Sequence, residues 1–159
     1  MRTRPVRGCA ATCLGLLLVV AGLADAKEWK GAVPGKTSRD EVIGKFGEPT
    51  REFSKGGKLS DGLNYQGDAA IEGSLETNFY FDKHGVLFRI DVFPVREITR
   101  AQVERIFGKE YVERVTKKGN TFFNYAREGM VVFFEKEHDR VASFMFVTPP
   151  SASRGKASE

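Results

Sequence analysis

The sequence predicts an α+β fold: two tandem helix-plus-antiparallel-meander repeats, with the helices packed on one face of the sheet. Three observations predict it. First, Ser38 and Glu41 stand three apart ahead of Val42, Ile43 and Phe46. That is a capping box opening a short amphipathic helix, and Gly47 supplies its stop. Second, Thr99, Gln102, Val103, Ile106, Phe107 and Gly108 repeat the device, with Ser38 and Thr99, Phe46 and Phe107, and Gly47 and Gly108 each 61 apart. Two caps in register with the same Phe-Gly ending argue for an internal repeat. Third, residues 75–82 and 86–93 alternate apolar and polar around Lys83, His84 and Gly85, the pattern of a half-buried hairpin.

The elements follow in order. Residues 1–26 read as a Sec-type signal peptide. Arg2, Arg4 and Arg7 form a basic start, an uncharged stretch centred on residues 14–23 follows, and Ala24-Asp25-Ala26 is a small-x-small cleavage site. The apolar run is shorter than the ~20 residues of a spanning helix, so no transmembrane span is expected after cleavage. Cys9 and Cys13, the two cysteines of the chain, both precede the cleavage point. Lipidation is therefore not expected, and an exported mature chain folds without disulfides.

Residues 27–34, with Trp29 and Pro34, form an extended lead-in, and Trp29 is expected on the domain edge. Residues 35–93 make the first repeat. Pro49 ends its helix, residues 50–54 and 63–65 are strands around a Lys55-Gly56-Gly57-Lys58 turn, residues 67–73 are a loop, and the hairpin closes the unit. In that hairpin Leu75, Thr77, Phe79 and Phe81 share a face, and so do Phe88, Ile90 and Val92. Residues 97–147 make the second repeat, with hairpins turning at residues 117–120 and 136–140. All thirteen phenylalanines lie after residue 26 and give the core its bulk. Residues 148–159, small and polar, are expected to be disordered.

Charge and reactive groups narrow the function. Loss of Arg2, Arg4, Arg7 and Asp25 lowers the formal charge from +4 to +2. With no basic run, a nucleic-acid partner is not expected. No catalytic residue, cofactor or metal site is expected. His84 and His138 sit in turns, and a metal bridging them with Asp82 or Asp139 lacks the short, fixed ligand spacing of zinc sites. Asp40, Glu41, Glu110, Glu135 and Glu137 lie at helix starts and turns, where helix dipoles and solvation account for them. No glycine-rich phosphate loop joins a strand to a helix.

What remains is a surface. If the helices cover Phe79, Phe81, Phe88, Ile90 and Val92, the opposite face carries Tyr80, Leu87, Arg89, Asp91 and Phe93, with Phe133 in the second half. Tyr80, Arg89, Asp91, Phe93 and Phe133 are the candidate partner-binding residues, since aromatics mixed with Arg and Asp compose protein-recognition surfaces. The competing reading packs these aromatics against the other repeat, Trp29 or the tail.

The pattern Gly35-x-Thr37, Val42, Phe46-Gly47-x-Pro49, Tyr65, Phe79-x-Phe81, Gly85-Val86-Leu87 and Ile90-Asp91 resembles the SmpA/OmlA (BamE-like) outer-membrane assembly lipoprotein family over about 59 residues. Residues 97–147 keep the helix and strands but have Lys109-Glu110-Tyr111 in place of the proline pattern. In tandem, the units resemble the architecture of secreted β-lactamase-inhibitor proteins. The resemblance implies an exported, non-catalytic protein-binding module of the bacterial cell envelope, periplasmic or secreted, acting in outer-membrane assembly or as a scaffold. A secreted inhibitor of a hydrolase is the alternative, and a small-ligand or lipid-binding module requires a pocket between helices and sheet. The missing lipid-attachment cysteine and the duplication depart from the single-copy family.

Overall fold

The computed structural model describes residues 26–54 and 61–150. Its elements are α1 (Arg39–Phe46), β1 (Arg51–Ser54), β2 (Asp61–Gln66), β3 (Ser74–Phe81), β4 (Leu87–Pro94), α2 (Arg100–Phe107), β5 (Val112–Val115), β6 (Thr121–Tyr125), β7 (Met130–Phe134) and β8 (Val141–Val147). A single 3-10 turn, Gly67–Ala69, follows β2. The signal peptide up to residue 25, the turn at residues 55–58 and the tail from residue 151 lie outside the described residues.

The fold class differs from the α+β expectation. Among the described residues eight strands form one antiparallel sheet in the order β1-β2-β3-β4-β8-β7-β6-β5, and α1 and α2 have eight residues each. The protein is mainly β, not two helix-plus-meander repeats. The physical reason lies at the centre of the sheet. β4 pairs with β8, from Arg89 opposite Val147 to Val92 opposite Phe144, so the meanders are sewn edge to edge. Only the outer strands β1 and β5 are left as edges. Each has four residues and carries charge, which blunts edge-to-edge association.

One sheet face holds the core. Leu63, Tyr65, Phe79, Phe81, Ile90, Phe123, Tyr125, Met130, Val132 and Phe134 are buried on it, and Val42 of α1 and Val103 of α2 are buried against it. Phe46 stacks on Phe79 at 5.4 Å between ring centroids, and Phe107 meets Tyr125 and Phe144 edge-on. The lead-in also covers this face. Trp29 lies 5.9 Å from Phe46 and 6.1 Å from Phe79, half-buried against the core. Lys27 hydrogen-bonds the Glu128 carbonyl through its backbone N–H at 2.9 Å and the Glu128 carboxylate through Nζ at 2.7 Å.

Helices this short do not stand alone in water, so their ends are tied. Both capping boxes form: the Ser38 N–H donates to Glu41 Oε2 at 2.7 Å, and the Thr99 N–H to Gln102 Oε1 at 2.8 Å. Gly47 (φ 81°, ψ −166°) and Gly108 (φ 79°, ψ −173°) end the helices in a backbone region that only glycine occupies readily. The carbonyls of these two glycines accept from the buried Tyr65 and Tyr125 hydroxyls, each at 3.0 Å, which fastens each helix end to its strand.

Four side chains, Leu75, Leu87, Phe88 and Ile106, depart from their expected facing. A β-bulge between Ser74 and Glu76 turns Leu75 outward, 59% exposed, and buries Ser74. A second bulge, where Tyr80 faces Arg89 but Phe81 faces Leu87, buries Leu87 and moves Phe88 to within 6.4 Å of Tyr80. A bulge inserts one unpaired residue and so reverses the facing beyond it. Ile106 is 63% exposed, because Val103 and Phe107 already fill the seat beneath α2.

The tyrosine ties carry a stability prediction. Tyr65→Phe and Tyr125→Phe each remove one hydrogen bond and lower unfolding free energy by about 1 kcal/mol. Gly47→Ala and Gly108→Ala cost about 1–3 kcal/mol through backbone strain. Urea unfolding followed by circular dichroism measures both, and a neutral Gly47→Ala would refute the assignment.

Candidate functional site

The second sheet face is composed quite differently. None of its residues belongs to the core against which the helices pack. Cross-strand register arranges it in rows. One row runs Arg51, Asn64, Asn78, Asp91, Met145, Val131, Asn124, Val112. A neighbouring row passes through Phe53, Gly62, Tyr80, Arg89 and Val147. A third passes from Gln66 through Glu76 to Phe93, and on the other half of the sheet Ser143, Phe133, Phe122 and Arg114 form a row.

Three of the five candidate residues form one unit. Arg89 grips Asp91 in a two-pronged pair, Nε to Oδ1 at 2.7 Å and a terminal nitrogen to Oδ2 at 2.6 Å, the geometry in which guanidinium and carboxylate bind most strongly. The same guanidinium lies 5.1 Å from the centroid of the Tyr80 ring. Burial and then the charge of Asp91 push the Tyr80 phenol up to about 12. Phe93 and Phe133 sit apart from this unit. Phe93 is 36% exposed, and Phe133 packs on Phe122 at 5.5 Å. Trp29 lies on the core face and covers none of the five.

The alternation did not reveal a polar group beside them. Asn64 is fully buried and Asn78 nearly so. Asn64 Nδ2 donates to Glu76 Oε1 at 2.9 Å and to Asn78 Oδ1 at 2.8 Å, and Asn78 Nδ2 donates to Glu76 Oε1 at 2.8 Å. Among the described residues, Asn64 Oδ1 is a buried side-chain oxygen with no partner, a costly arrangement in a folded interior. Asn64 stands between Leu63 and Tyr65 in a strand, and polar residues at such positions read as solvent-facing. Phe53 covers Gly62, where any Cβ would meet its ring at 2.2 Å, and lies 5.5 Å from Tyr80. Glycine under a cross-strand aromatic is a recognised way of keeping such a strand paired. A groove of about 310 Å³ is lined by Arg51, Phe53, Glu76, Asn78 and Tyr80.

The histidines do not meet. His84 lies in the β3–β4 turn and His138 in the β7–β8 turn, and because β4 and β8 are antiparallel neighbours these turns fall at opposite ends of the sheet. One ion cannot bridge them. Among the described residues no group of three His, Cys, Asp or Glu side chains is placed to hold a metal ion.

No family model and no curated protein matches the sequence. The fold is similar to a DUF4309 family protein, YjgB, of Bacillus subtilis subsp. subtilis str. 168, with a TM-score of 0.56 and 12% identity over 79% of this chain and 88% of that one. It is also similar to an extracellular protein containing a SCP domain from Bacillus anthracis str. Ames, with a TM-score of 0.50 and 8% identity over 96% of this chain. The match spans 51% of that protein's length. At such identities the likeness is one of fold alone. One neighbour is thus extracellular, and among the described residues no helix is long and apolar enough to cross a membrane.

The tyrosines give a direct check of this geometry. All four phenols are raised, Tyr65 and Tyr80 to about 12 chiefly by burial and Tyr111 to about 12 chiefly by its hydrogen bond to Glu104, and Tyr125 is raised by burial. A raised folded value contributes stability that is fully present below the unfolded value of 10.0 and lost as pH rises toward about 12. Phenolate absorbance of the native protein will therefore lack a step at the ordinary phenol pKa, and urea-unfolded protein will show one. In Asp91→Asn, Tyr80 alone titrates earlier. A normal native step would contradict the packing.

Proposed function

We propose that the chain is an exported, non-catalytic module of the bacterial cell envelope that binds another protein through the open face of its sheet, acting in outer-membrane assembly or as a scaffold. The observation that carries this reading is the division of that face. Phe93, Phe133, Phe122, Val131 and Met145 form an apolar strip, and the Arg89–Asp91 pair on Tyr80 borders it. Protein interfaces pair an aromatic centre with a polar rim, and a rigid, pre-formed Arg–carboxylate pair loses little freedom on binding.

The carboxylates of this face support binding over catalysis. Asp91 is held by Arg89, and Glu76 by two asparagine amides. The Tyr80 phenol beside Asp91 is pushed up to about 12, away from the range in which a general acid or base works at neutral pH. The extracellular character of one structural neighbour supports export, as do the signal-like residues 1–26.

Photo-crosslinkers in place of Phe133 and Phe93, expressed in cells, test the reading. Both positions are expected to capture one and the same protein, and Arg89→Ala to weaken its capture by at least about tenfold, the scale of an interface hot spot. A crosslinker at exposed Ile106, on the helix side, should capture nothing. Equal yields from both faces would overturn the reading, and so would inhibition of a hydrolase by a variant whose open face is disabled.

A further inference from the structure

The two edges of the sheet are not alike, and the difference points to an occupant for one of them. On β1, Phe53 turns its ring inward across Gly62 of β2. β5 carries no aromatic residue. All four of its residues are exposed, with Val112 at 52% and Val115 at 64%. Its register alternates them: Val112 and Arg114 lie toward the open face, opposite Asn124 and Phe122, while Glu113 and Val115 lie toward the core face.

The carboxylates near this edge are ion-paired, and the cations of β5 and its turn are not. Glu113 of β5 shares Arg100 with Asp139, at 3.2 and 3.1 Å, Glu110 pairs with Arg127 at 3.8 Å, and the Arg100 guanidinium is itself held 4.9 Å from both the Phe123 and Phe134 rings. Arg114, Lys117 and Lys118 make no ion pair among the described residues. The last two line a groove of about 350 Å³ with Thr116, Asn120 and Phe133. Lys136 lies beside Gly119 of the same turn.

We propose that β5 takes an extended acidic segment of the partner protein as a ninth antiparallel or parallel strand. Its carboxylates lie on the open face against Arg114, Lys117 and Lys118, and its alternate, apolar residues lie on the core face against Val115. Strand addition draws affinity from main-chain hydrogen bonds and selectivity from alternate side chains, and here the cations select acidic over basic segments. The chain's own C-terminal tail, residues 151–159, is a poor occupant, because Arg154 and Lys156 outnumber Glu159. The inference rests on the protein-binding reading above and names the chemistry of its partner.

The test uses the whole mature chain and three fluorescein-labelled peptides of about ten residues, long enough to span an edge strand. One alternates Glu and Val, one alternates Lys and Val, and one is the acidic peptide N-methylated at alternate residues so that it keeps its charge but loses strand pairing. In fluorescence anisotropy the acidic peptide binds, the basic one does not, and N-methylation weakens binding at least tenfold. The double variant K117E/K118E, altered only in an exposed turn, weakens binding by about tenfold with an unchanged circular dichroism spectrum. Added salt weakens the wild-type complex. Equal binding of the N-methylated peptide overturns strand addition, and equal binding of the basic peptide overturns the charge match. Concentration-dependent dimers that the acidic peptide does not dissociate assign β5 to a second copy instead. Failure of the acidic peptide while Phe133 still captures a cellular partner removes this inference and leaves the broader reading standing. Loss of both removes the reading as well.

Discussion

The ladder between β4 and β8 is the interaction on which the rest of the molecule depends. It joins segments more than fifty residues apart in sequence, so its loop-closure cost must be met by what it buries. On the core side it sets Ile90 beside Phe146 and Val92 beside Phe144. On the open side it sets Asp91 beside Met145 and Arg89 beside Val147. Without it, two of the longest and most apolar strands would present bare edges, a standing invitation to aggregation. With it, only short, charged β1 and β5 are left at the margins.

The helices are secondary to that ladder. Each contributes one fully buried valine and one phenylalanine to the core, and each is fixed by its own local chemistry: a reciprocal cap at the start, glycine at the stop, and a tyrosine hydroxyl from the sheet. They run along one side of the sheet, and among the described residues no helix packs on the other side. The lead-in through Trp29 and Lys27 adds to the same side. This asymmetry of cover produces the candidate site, since among the described residues both helices and the lead-in lie on one face.

Much of the local structure was legible in the sequence. Ser38 with Glu41, Thr99 with Gln102, and the glycines after Phe46 and Phe107 specify both helices through short-range hydrogen bonding. Strict alternation around Phe79 and Ile90 placed Tyr80, Arg89, Asp91 and Phe93 on one face. The overall class was not legible. Pairing of β4 with β8 is a long-range event with no local signature, and reading two similar segments as two units gave the helices a weight that eight residues each do not carry. The bulges at Leu75 and Phe88 were also hidden, because alternation carries no mark for an inserted residue. The Asn64–Glu76–Asn78 group escaped notice because its members come from two strands and meet only through register.

The most direct measurement of this account is the set of backbone proton contacts between β4 and β8 in a nuclear Overhauser spectrum of the folded protein. The account requires cross-strand contacts linking Asp91 with Met145 and Ile90 with Phe146. It fails if β8 shows contacts only to β7 and β4 only to β3, for then there is no continuous sheet and no single open face.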